Sequence, residues 1–178
     1  DEKTGISIII ISPKLDSGDI LIQESFAIDK NMNSDDLILN LTTLGKKIMI
    51  KILPMLFENK LIGKKQDENK VTYANKFLPE DRKINFYNSS DDICNHIRAH
   101  GPKPGSWFTY RGERIKIISA KKINKLGESS TILNKDFMIA CKDGAILPIL
   151  IQREGKKVVS LDDFLRGFTF LIQDKLNA

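Results

Sequence analysis

Cysteine and histidine are scarce in this chain, with two of each among 178 residues. Cys94 and Cys141 are far apart in the sequence and lie in apolar stretches, so we expect buried, reduced thiols rather than a disulfide framework. His96 and His100 are spaced i, i+4 in or just after a predicted helix, but no Cys, Asp or Glu is placed to complete a zinc site. The sequence therefore predicts neither a metal centre nor a fold held by disulfides.

Long apolar runs are also missing. No stretch approaches the roughly 20 residues needed to span a bilayer, and the first residues do not have the pattern of a secretory signal. Hydrophobic residues make up 41% of the chain, enough to fill the core of one large or two small domains. We expect a cytoplasmic globular protein without a membrane partner.

Positive charge is unevenly distributed along the chain. Residues 1–80 contain 11 Lys and Arg against 12 Asp and Glu, whereas residues 81–178 contain 17 against 11. An excess of cations in one half indicates an anionic partner such as nucleic acid. A solvated basic surface without such a partner explains the composition equally well.

A short turn rich in Asp separates two predicted strands near the start. Residues 5–11 form a continuous β-branched run, typical of a strand buried on both faces in a parallel or mixed α/β sheet. Residues 20–27 form a second strand. Pro13 ends the first run and Gly18 gives the turn its backbone freedom, which places Asp16 on a tight loop at the mouth of a sheet. Taken alone, the loop is more often an ordinary turn.

A long amphipathic helix follows these strands. Ser34 is the predicted N-cap, Asp35 and Asp36 favour the first turn, and apolar residues recur at helical spacing from Leu37 to Ile52. The helix is expected to end near residues 57–59 and to cover the sheet. Polar residues then predict an interdomain linker over 61–82, between domains at 1–60 and 83–178.

The second domain is predicted to be a small β-barrel with short helices. Residues 89–92 cap a short helix, and strands over 107–110 and 115–118 flank a hairpin turn at 111–113. Further strands are predicted at 130–133, 137–141 and 145–152, and a last helix from Ser160. Trp107 is expected to pack in the core, with stacking on a base as the less favoured alternative.

Three ordered motifs resemble the C-terminal part of methionyl-tRNA formyltransferases. The first runs from Thr4-Gly5 to the pentad Leu15-Asp16-Ser17-Gly18-Asp19. The second is Gln66-Asp67-Glu68 followed by residues 71–74, Val-Thr-Tyr-Ala, and Lys76. The third comprises residues 84–86, Ile97-Arg98-Ala99 and residues 104–107, Pro-Gly-Ser-Trp. The resemblance implies an α/β remnant of a Rossmann-like formyltransferase domain, followed by an OB-like barrel.

The resemblance also implies a reaction and a catalytic residue. Family members transfer a formyl group from 10-formyltetrahydrofolate to the amino group of methionyl initiator tRNA in translation initiation, using an Asn, a His and an Asp. Asp16 matches the Asp, whose carboxylate orients the His and relays protons as the amine attacks; the Asn and His stabilise the oxyanion. Both would lie before Asp1, so we expect the natural product to be longer, to be inactive without that part, and to be a monomer when complete.

Two sets of residues are predicted to bind the substrates. The loop Ser12, Pro13, Lys14, Leu15 and Asp16 would line the formyl end of the folate pocket. Exposed basic residues in the linker and around the barrel are the predicted tRNA contacts: Lys60, Lys64, Lys65, Lys121, Lys122, Lys125, Arg153, Lys156 and Lys157.

Two other functions remain open. One is a related formyltransferase that acts on an amino-sugar nucleotide and shares the Asp pattern, although the basic second half and the linker motif favour tRNA. The other is a non-catalytic RNA-binding protein, whose incomplete sheet would expose apolar surface and unpaired strand edges.

Overall fold

The computed structural model describes residues 1–177 and divides the chain into two units, Asp1–Asn75 and the residues from Lys76 onward. In the first unit, strands β1 (Lys3–Ile9) and β2 (Ile20–Ala27) form an antiparallel pair, and helix α1 (Ser34–Phe57) contacts β1. A turn of 3₁₀ helix at Glu68–Lys70 follows. The segment between α1 and Asn75 therefore folds with the first unit.

Strand β1 differs from its prediction in burial and pairing. Exposed and half-buried positions alternate along it, and its partner is antiparallel. It also ends at Ile9, so that Ile11 is 95% exposed. The expectation of a strand buried on both faces of a parallel or mixed sheet is wrong, because a run of β-branched residues does not specify what covers each face. A Rossmann-like sheet is not found among the described residues.

Helix α1 is close to its prediction. Asn33, rather than Ser34, is the N-cap: its side chain accepts hydrogen bonds from the main-chain N–H groups of Asp35 and Asp36, and Asp36 accepts one in return. Ile48 and Ile52 are buried, and the helix ends at Phe57. The apolar spacing therefore identified the buried face, whereas the N-cap lies one residue before the predicted position.

The second unit consists of a five-stranded antiparallel sheet and two helices. Its elements are α2 (Ser90–Ala99), β3 (Ser106–Tyr110), β4 (Glu113–Ile123), β5 (Ile139–Ala140), β6 (Ala145–Arg153), β7 (Val159–Ser160) and α3 (Leu161–Arg166). The strand order is β3-β4-β6-β5, with β7 paired to β6. A 3₁₀ turn at Pro79–Arg82 precedes α2. The unit is thus a mixed α/β fold with an antiparallel sheet.

Aromatic rings fill the core of this unit. Phe137 is fully buried and contacts the rings of Phe108, Phe164, Phe168 and Phe170 at centroid distances of 4.9 to 6.4 Å. Such offset and edge-to-face pairs add to the free energy gained by burial. The core joins the sheet to α3 and to the segment that follows it.

Most of the predicted elements of the second unit are present. Ser89 caps α2, Ser160 caps α3, and β3 and β4 form the predicted hairpin, in which Arg111 and Gly112 both have positive φ. The strands predicted at 130–133 and 137–141 are shorter: the first has only isolated bridges and the second is reduced to β5. Closure of the sheet into an OB-like barrel stays a prediction.

Within residues 1–177, no helix is long and apolar enough to cross a membrane. Over the same residues, no three His, Cys, Asp or Glu side chains are grouped so that they could hold a metal ion.

Candidate functional site

Hydroxyl groups hold the loop that contains Asp16. The Ser12 and Ser17 hydroxyl oxygens are 2.9 Å apart, and both hydroxyls donate to the Lys14 carbonyl, at 3.0 and 2.9 Å. Where the two ends of the loop meet, the Ile10 N–H donates to the Asp19 carbonyl at 3.0 Å. The loop is therefore closed at its base and bonded across its middle.

Gly18 allows the two sides of this loop to approach each other. A Cβ atom built on Gly18 would lie 1.6 Å from the Ile10 carbonyl oxygen, far inside van der Waals contact. Any side chain at this position would push the loop away from the end of β1. The glycine of the pentad is thus required by a close backbone approach.

A segment distant in sequence packs against the same loop. The main chains of Lys64 and Ile20 exchange two hydrogen bonds of 2.8 Å. Two residues further on, the Gln66 side-chain amide donates to the Asp16 carbonyl at 2.8 Å and to the Gly18 carbonyl at 2.7 Å. The first two motifs of the sequence resemblance are therefore in direct contact.

Together these segments enclose a cavity of about 510 Å³. Its walls come from the loop and from the segment after Lys64, and its lining residues are Lys14, Leu15, Asp16, Ser17, Asp19, Lys65, Gln66, Glu68, Lys70, Val71, Thr72, Tyr73 and Ala74. The lining contains three lysines and three carboxylates, so its formal charge is zero. This volume is in the range of small-molecule sites.

Asp16 lies at the edge of this cavity with an unusual backbone. Its φ is 48°, in the left-handed region that few non-glycine residues adopt, and its side chain is exposed. The carboxylate is therefore accessible, whereas the main chain is fixed through its carbonyl. A left-handed residue held by its surroundings is a feature often found at functional sites.

A second candidate surface is a basic groove on the second unit. Its cavity of about 320 Å³ is lined by Arg82, Trp107, Arg114, Lys116, Gln152, Arg153, Glu154 and Gly155. Arg114 and Lys116 alternate along β4 with the buried Ile115 and Ile117, so both basic side chains lie on the face opposite the core. The strand period therefore places neighbouring cations on one surface.

Trp107 forms the floor of this groove. It is 4% exposed, its indole N–H donates to the Pro79 carbonyl at 3.1 Å, and the Arg114 guanidinium lies 4.0 Å from its ring centroid. Trp107 is buried as expected, but the prediction that it packs in the core is wrong: Trp107 pairs with Lys116 across β3 and β4 and so lies on the face opposite the core. The guanidinium covers one face of the ring, and the low exposure of the side chain argues against stacking on a base.

The predicted basic contacts differ in their surroundings. Lys60 pairs with Glu58 at 2.6 Å, and Lys122 pairs with Asp91 at 2.5 Å. Arg153 ends β6 rather than lying in a turn, and two hydrogen bonds of 2.6 and 2.8 Å join it to Glu113. These pairs compete with a phosphate for the same cations.

The remaining predicted cations are exposed. Lys121 lies on β4 and Lys125 just after it, Lys156 and Lys157 lie between β6 and β7, and Lys64 and Lys65 belong to the first unit. Their role in binding tRNA stays a prediction.

The histidines and cysteines take structural positions. His96 and His100 lie on one side of the end of α2 with ring centroids 4.5 Å apart, and burial lowers the pKa of His96. Both thiols are free; burial raises the pKa of Cys94 and raises that of Cys141 to about 12. A thiol with so high a pKa is a poor nucleophile at neutral pH.

Comparison with known proteins identifies the class of protein to which this chain belongs. The family model for the formyl transferase C-terminal domain matches residues 76–169, slightly more than half of the chain. The chain belongs to this formyltransferase family.

A more particular likeness comes from curated relatives. The chain is 34% identical over 178 residues to the methionyl-tRNA formyltransferase of Ehrlichia canis, covering 96% of this chain and 56% of the relative. The resemblance to methionyl-tRNA formyltransferases is therefore confirmed. The chain spans somewhat more than half the length of the curated relatives it matches.

Solved structures share the fold. HypX from Aquifex aeolicus, in complex with tetrahydrofolic acid, superposes with a TM-score of 0.71 at 16% identity, over 94% of this chain and 31% of HypX. An N-formyltransferase from Helicobacter canadensis, in complex with folinic acid and dTDP-3-aminofucose, gives a TM-score of 0.68 at 25% identity, over 86% of this chain and 56% of that protein.

Sequence reasoning missed several residues of these surfaces. The sequence marks Gln66 only as part of a motif, and its contact with the Asp16 loop spans 50 residues, which no local pattern reveals. Arg114 and Lys116 carried a usable signal, the polar and apolar alternation of β4. Arg82 had none, because it reaches the groove from a 3₁₀ turn.

Proposed function

We propose that this chain is the C-terminal part of an enzyme that transfers a formyl group from 10-formyltetrahydrofolate to the amino group of methionyl initiator tRNA, in translation initiation. The observation that carries this proposal is the cavity where the Asp16 loop meets the segment that follows Lys64. Two motifs of the sequence resemblance, far apart along the chain, line one space beside an accessible carboxylate.

In this proposal Asp16 accepts a proton from the attacking amine and returns one to the folate. When the amine nitrogen attacks the formyl carbon, a new C–N bond forms, the bond from that carbon to the folate nitrogen breaks, and the amine loses a proton. The Asp16 carboxylate can accept this proton directly or through one water, and return one to the departing folate nitrogen. The required Asn and His would come from outside residues 1–177.

The residues of the loop have a chemistry that suits a folate. Lys14 offers an exposed cation to an anionic tail, and Leu15, which is 82% exposed, offers an apolar contact to a ring. Together with Ser12, Pro13 and Asp16 they form the proposed cofactor edge. The folate, when bound, supplies the formyl carbon.

The second unit supplies the proposed tRNA contacts. The groove around Trp107 adds Arg82, Arg114 and Lys116 to the cations predicted from the sequence, and no ion pair joins any of these three to another described residue. Cations without a carboxylate partner are the better candidates for phosphate contacts. The proposal places the protein in the cytoplasm together with tRNA.

An amino-sugar nucleotide is the alternative substrate. It is favoured by the likeness to the Helicobacter canadensis N-formyltransferase, whose complex contains dTDP-3-aminofucose. The basic groove favours tRNA instead.

The test is a choice between these acceptors. The complete protein is mixed with labelled 10-formyltetrahydrofolate and with either methionyl initiator tRNA or dTDP-3-aminofucose. The labelled product is then measured. The proposal predicts transfer to the tRNA. Transfer to the sugar alone would establish the alternative, and tRNA binding without transfer to either would indicate a non-catalytic RNA-binding protein.

A further inference from the structure

We infer that Gln66 is a positioning residue, which fixes the backbone of the Asp16 loop and thereby the placement of the Asp16 carboxylate. One side-chain nitrogen donates to two carbonyl groups of this loop, those of Asp16 and Gly18, at 2.8 and 2.7 Å. These carbonyls lie on either side of Ser17, so the amide spans the turn of the pentad. The catalytic consequence rests on the proposed function.

Gln66 is itself held in place. Its segment is tied to the start of β2 by the paired hydrogen bonds between Lys64 and Ile20. Gly63 packs so closely that an added Cβ would lie 2.6 Å from the Asp19 Cβ. A donor anchored in this way transmits the position of β2 to the loop, rather than following the loop as it moves.

The donor chemistry of an amide is what this position requires. Gln66 presents N–H groups to two acceptors, which a carboxylate cannot do because it has no donor when ionised. A Glu at this position has nearly the same shape but would set negative oxygens against two carbonyl oxygens. Gln66→Glu therefore removes the bonds and adds repulsion with little change in volume.

Gln23 provides a matched control. It lies on β2 in the same unit, and its side-chain amide donates to the Ser7 hydroxyl at 2.8 Å, away from the loop. Gln23→Glu changes the same group and the same charge without touching the loop.

The experiment compares the complete protein with its Gln66→Glu, Gln66→Ala and Gln23→Glu variants in formyl transfer to methionyl-tRNA. We expect Gln66→Glu to lower kcat by about 100-fold, since small misplacements of a catalytic group have effects of this size. The KM for tRNA should stay within about threefold, whereas the KM for the folate donor should rise as well, because the displaced loop forms the proposed cofactor edge. Gln23→Glu should match the unsubstituted protein. An unchanged kcat in Gln66→Glu, or a loss confined to KM, would overturn the inference.

The pH profile separates positioning from simple packing. Protonating the carboxyl group introduced by Gln66→Glu restores a hydrogen-bond donor, whereas the methyl group introduced by Gln66→Ala does not titrate. The kcat ratio of Gln66→Glu to Gln66→Ala should therefore rise as the pH falls toward about 5. A ratio that does not change with pH would contradict a role through hydrogen bonding.

Hydrogen exchange tests the loop independently of the reaction. In both Gln66 variants, amides over residues 14–19 should exchange at least about tenfold faster than in the unsubstituted protein and in Gln23→Glu. Equal exchange would overturn the inference.

If Gln66→Glu does not fold, Gln66→Ala decides in the same way. If the unsubstituted protein transfers no formyl group, the proposed function fails, and the exchange result alone judges the positioning role.

Discussion

Asp16 combines an accessible side chain with a restrained main chain. Its carboxylate is exposed, but its φ of 48° and its bonded carbonyl leave the backbone little freedom. A proton-transfer group needs both properties, since it must reach the substrate and stay in one orientation when it does. The surrounding glycine and serines restrain the main chain that carries this carboxylate.

Alanine substitutions at two glycines of the first unit are predicted to have opposite effects on the free energy of unfolding. Gly18→Ala should lower the free energy of unfolding by about 2 to 4 kcal/mol, because its Cβ would overlap the Ile10 carbonyl oxygen. Gly45→Ala should raise it by about 0.5 to 1 kcal/mol, because Gly45 lies in α1 and the nearest atoms to its Cβ would be 4.0 Å away. Urea denaturation measures both. Equal effects, or a tolerated alanine at Gly18, would contradict the close approach.

At the scale of elements, local signals located the helices and the tight hairpin. Asp residues in the first turn and apolar spacing defined α1, and Arg111-Gly112 marked the turn between β3 and β4. These features depend on neighbours in the sequence, so the sequence contains them. The strand expected at 130–133 depends instead on the chain end, where Thr131 bridges to Lys175. No pattern within the segment could have predicted this pairing.

The C-terminal segment is tied to the sheet by a charged hydrogen bond. The Tyr110 hydroxyl donates to the Asp174 carboxylate at 2.5 Å, and Arg111 adds an ion pair at 2.9 Å. The hydrogen bond from Tyr110, followed by the bond from Arg111, holds the pKa of Asp174 below its usual value. Since the folded state favours the ionised carboxyl, this stabilisation is present above the unfolded pKa of about 3.9 and is lost as the pH falls through the lower folded pKa.

Tyr110→Phe should therefore lower the melting temperature at pH 7, and its difference from the unsubstituted protein should shrink as the pH falls below about 4. Tyr87→Phe, at a ring that is 65% exposed, is the control and should change little. Thermal denaturation followed across pH provides the measurement. A difference that persists undiminished in acid would show that Asp174 ionisation is not involved.

At the scale of the whole molecule, the two candidate sites lie in different units of the chain. The first unit contains the cavity beside Asp16, and the second contains the basic groove. The charge asymmetry along the sequence pointed to the second half, but only the strand register showed that Arg114 and Lys116 share a surface with Trp107. The motif match could identify the family, whereas the groove required the structure.

Neutralising the groove should weaken tRNA binding. For Arg114→Gln with Lys116→Gln, we expect the slope of log affinity against log salt to fall by about 2, one unit for each phosphate contact removed. Lys135→Gln with Lys142→Gln removes the same charge from exposed sites on the same unit and should have a smaller effect. The melting temperature checks that the first pair folds. Equal slopes for the two pairs would argue against the groove.

The four lysines predicted from the sequence form a separate test. Neutralising Lys121, Lys122, Lys156 and Lys157 together should also weaken binding and flatten its salt dependence. An unchanged slope would remove these four from the tRNA contacts and leave the groove as the proposed surface.

The central claim is that Asp16 carries out proton transfer in formylation. The most direct measurement is the rate at which the complete protein transfers labelled formyl to methionyl initiator tRNA, compared with its Asp16→Asn variant, alongside the tRNA affinity of both. We predict that the rate falls by a factor of about 100 to 10,000 while the affinity stays the same. A rate within a few-fold of the unsubstituted protein would contradict the account.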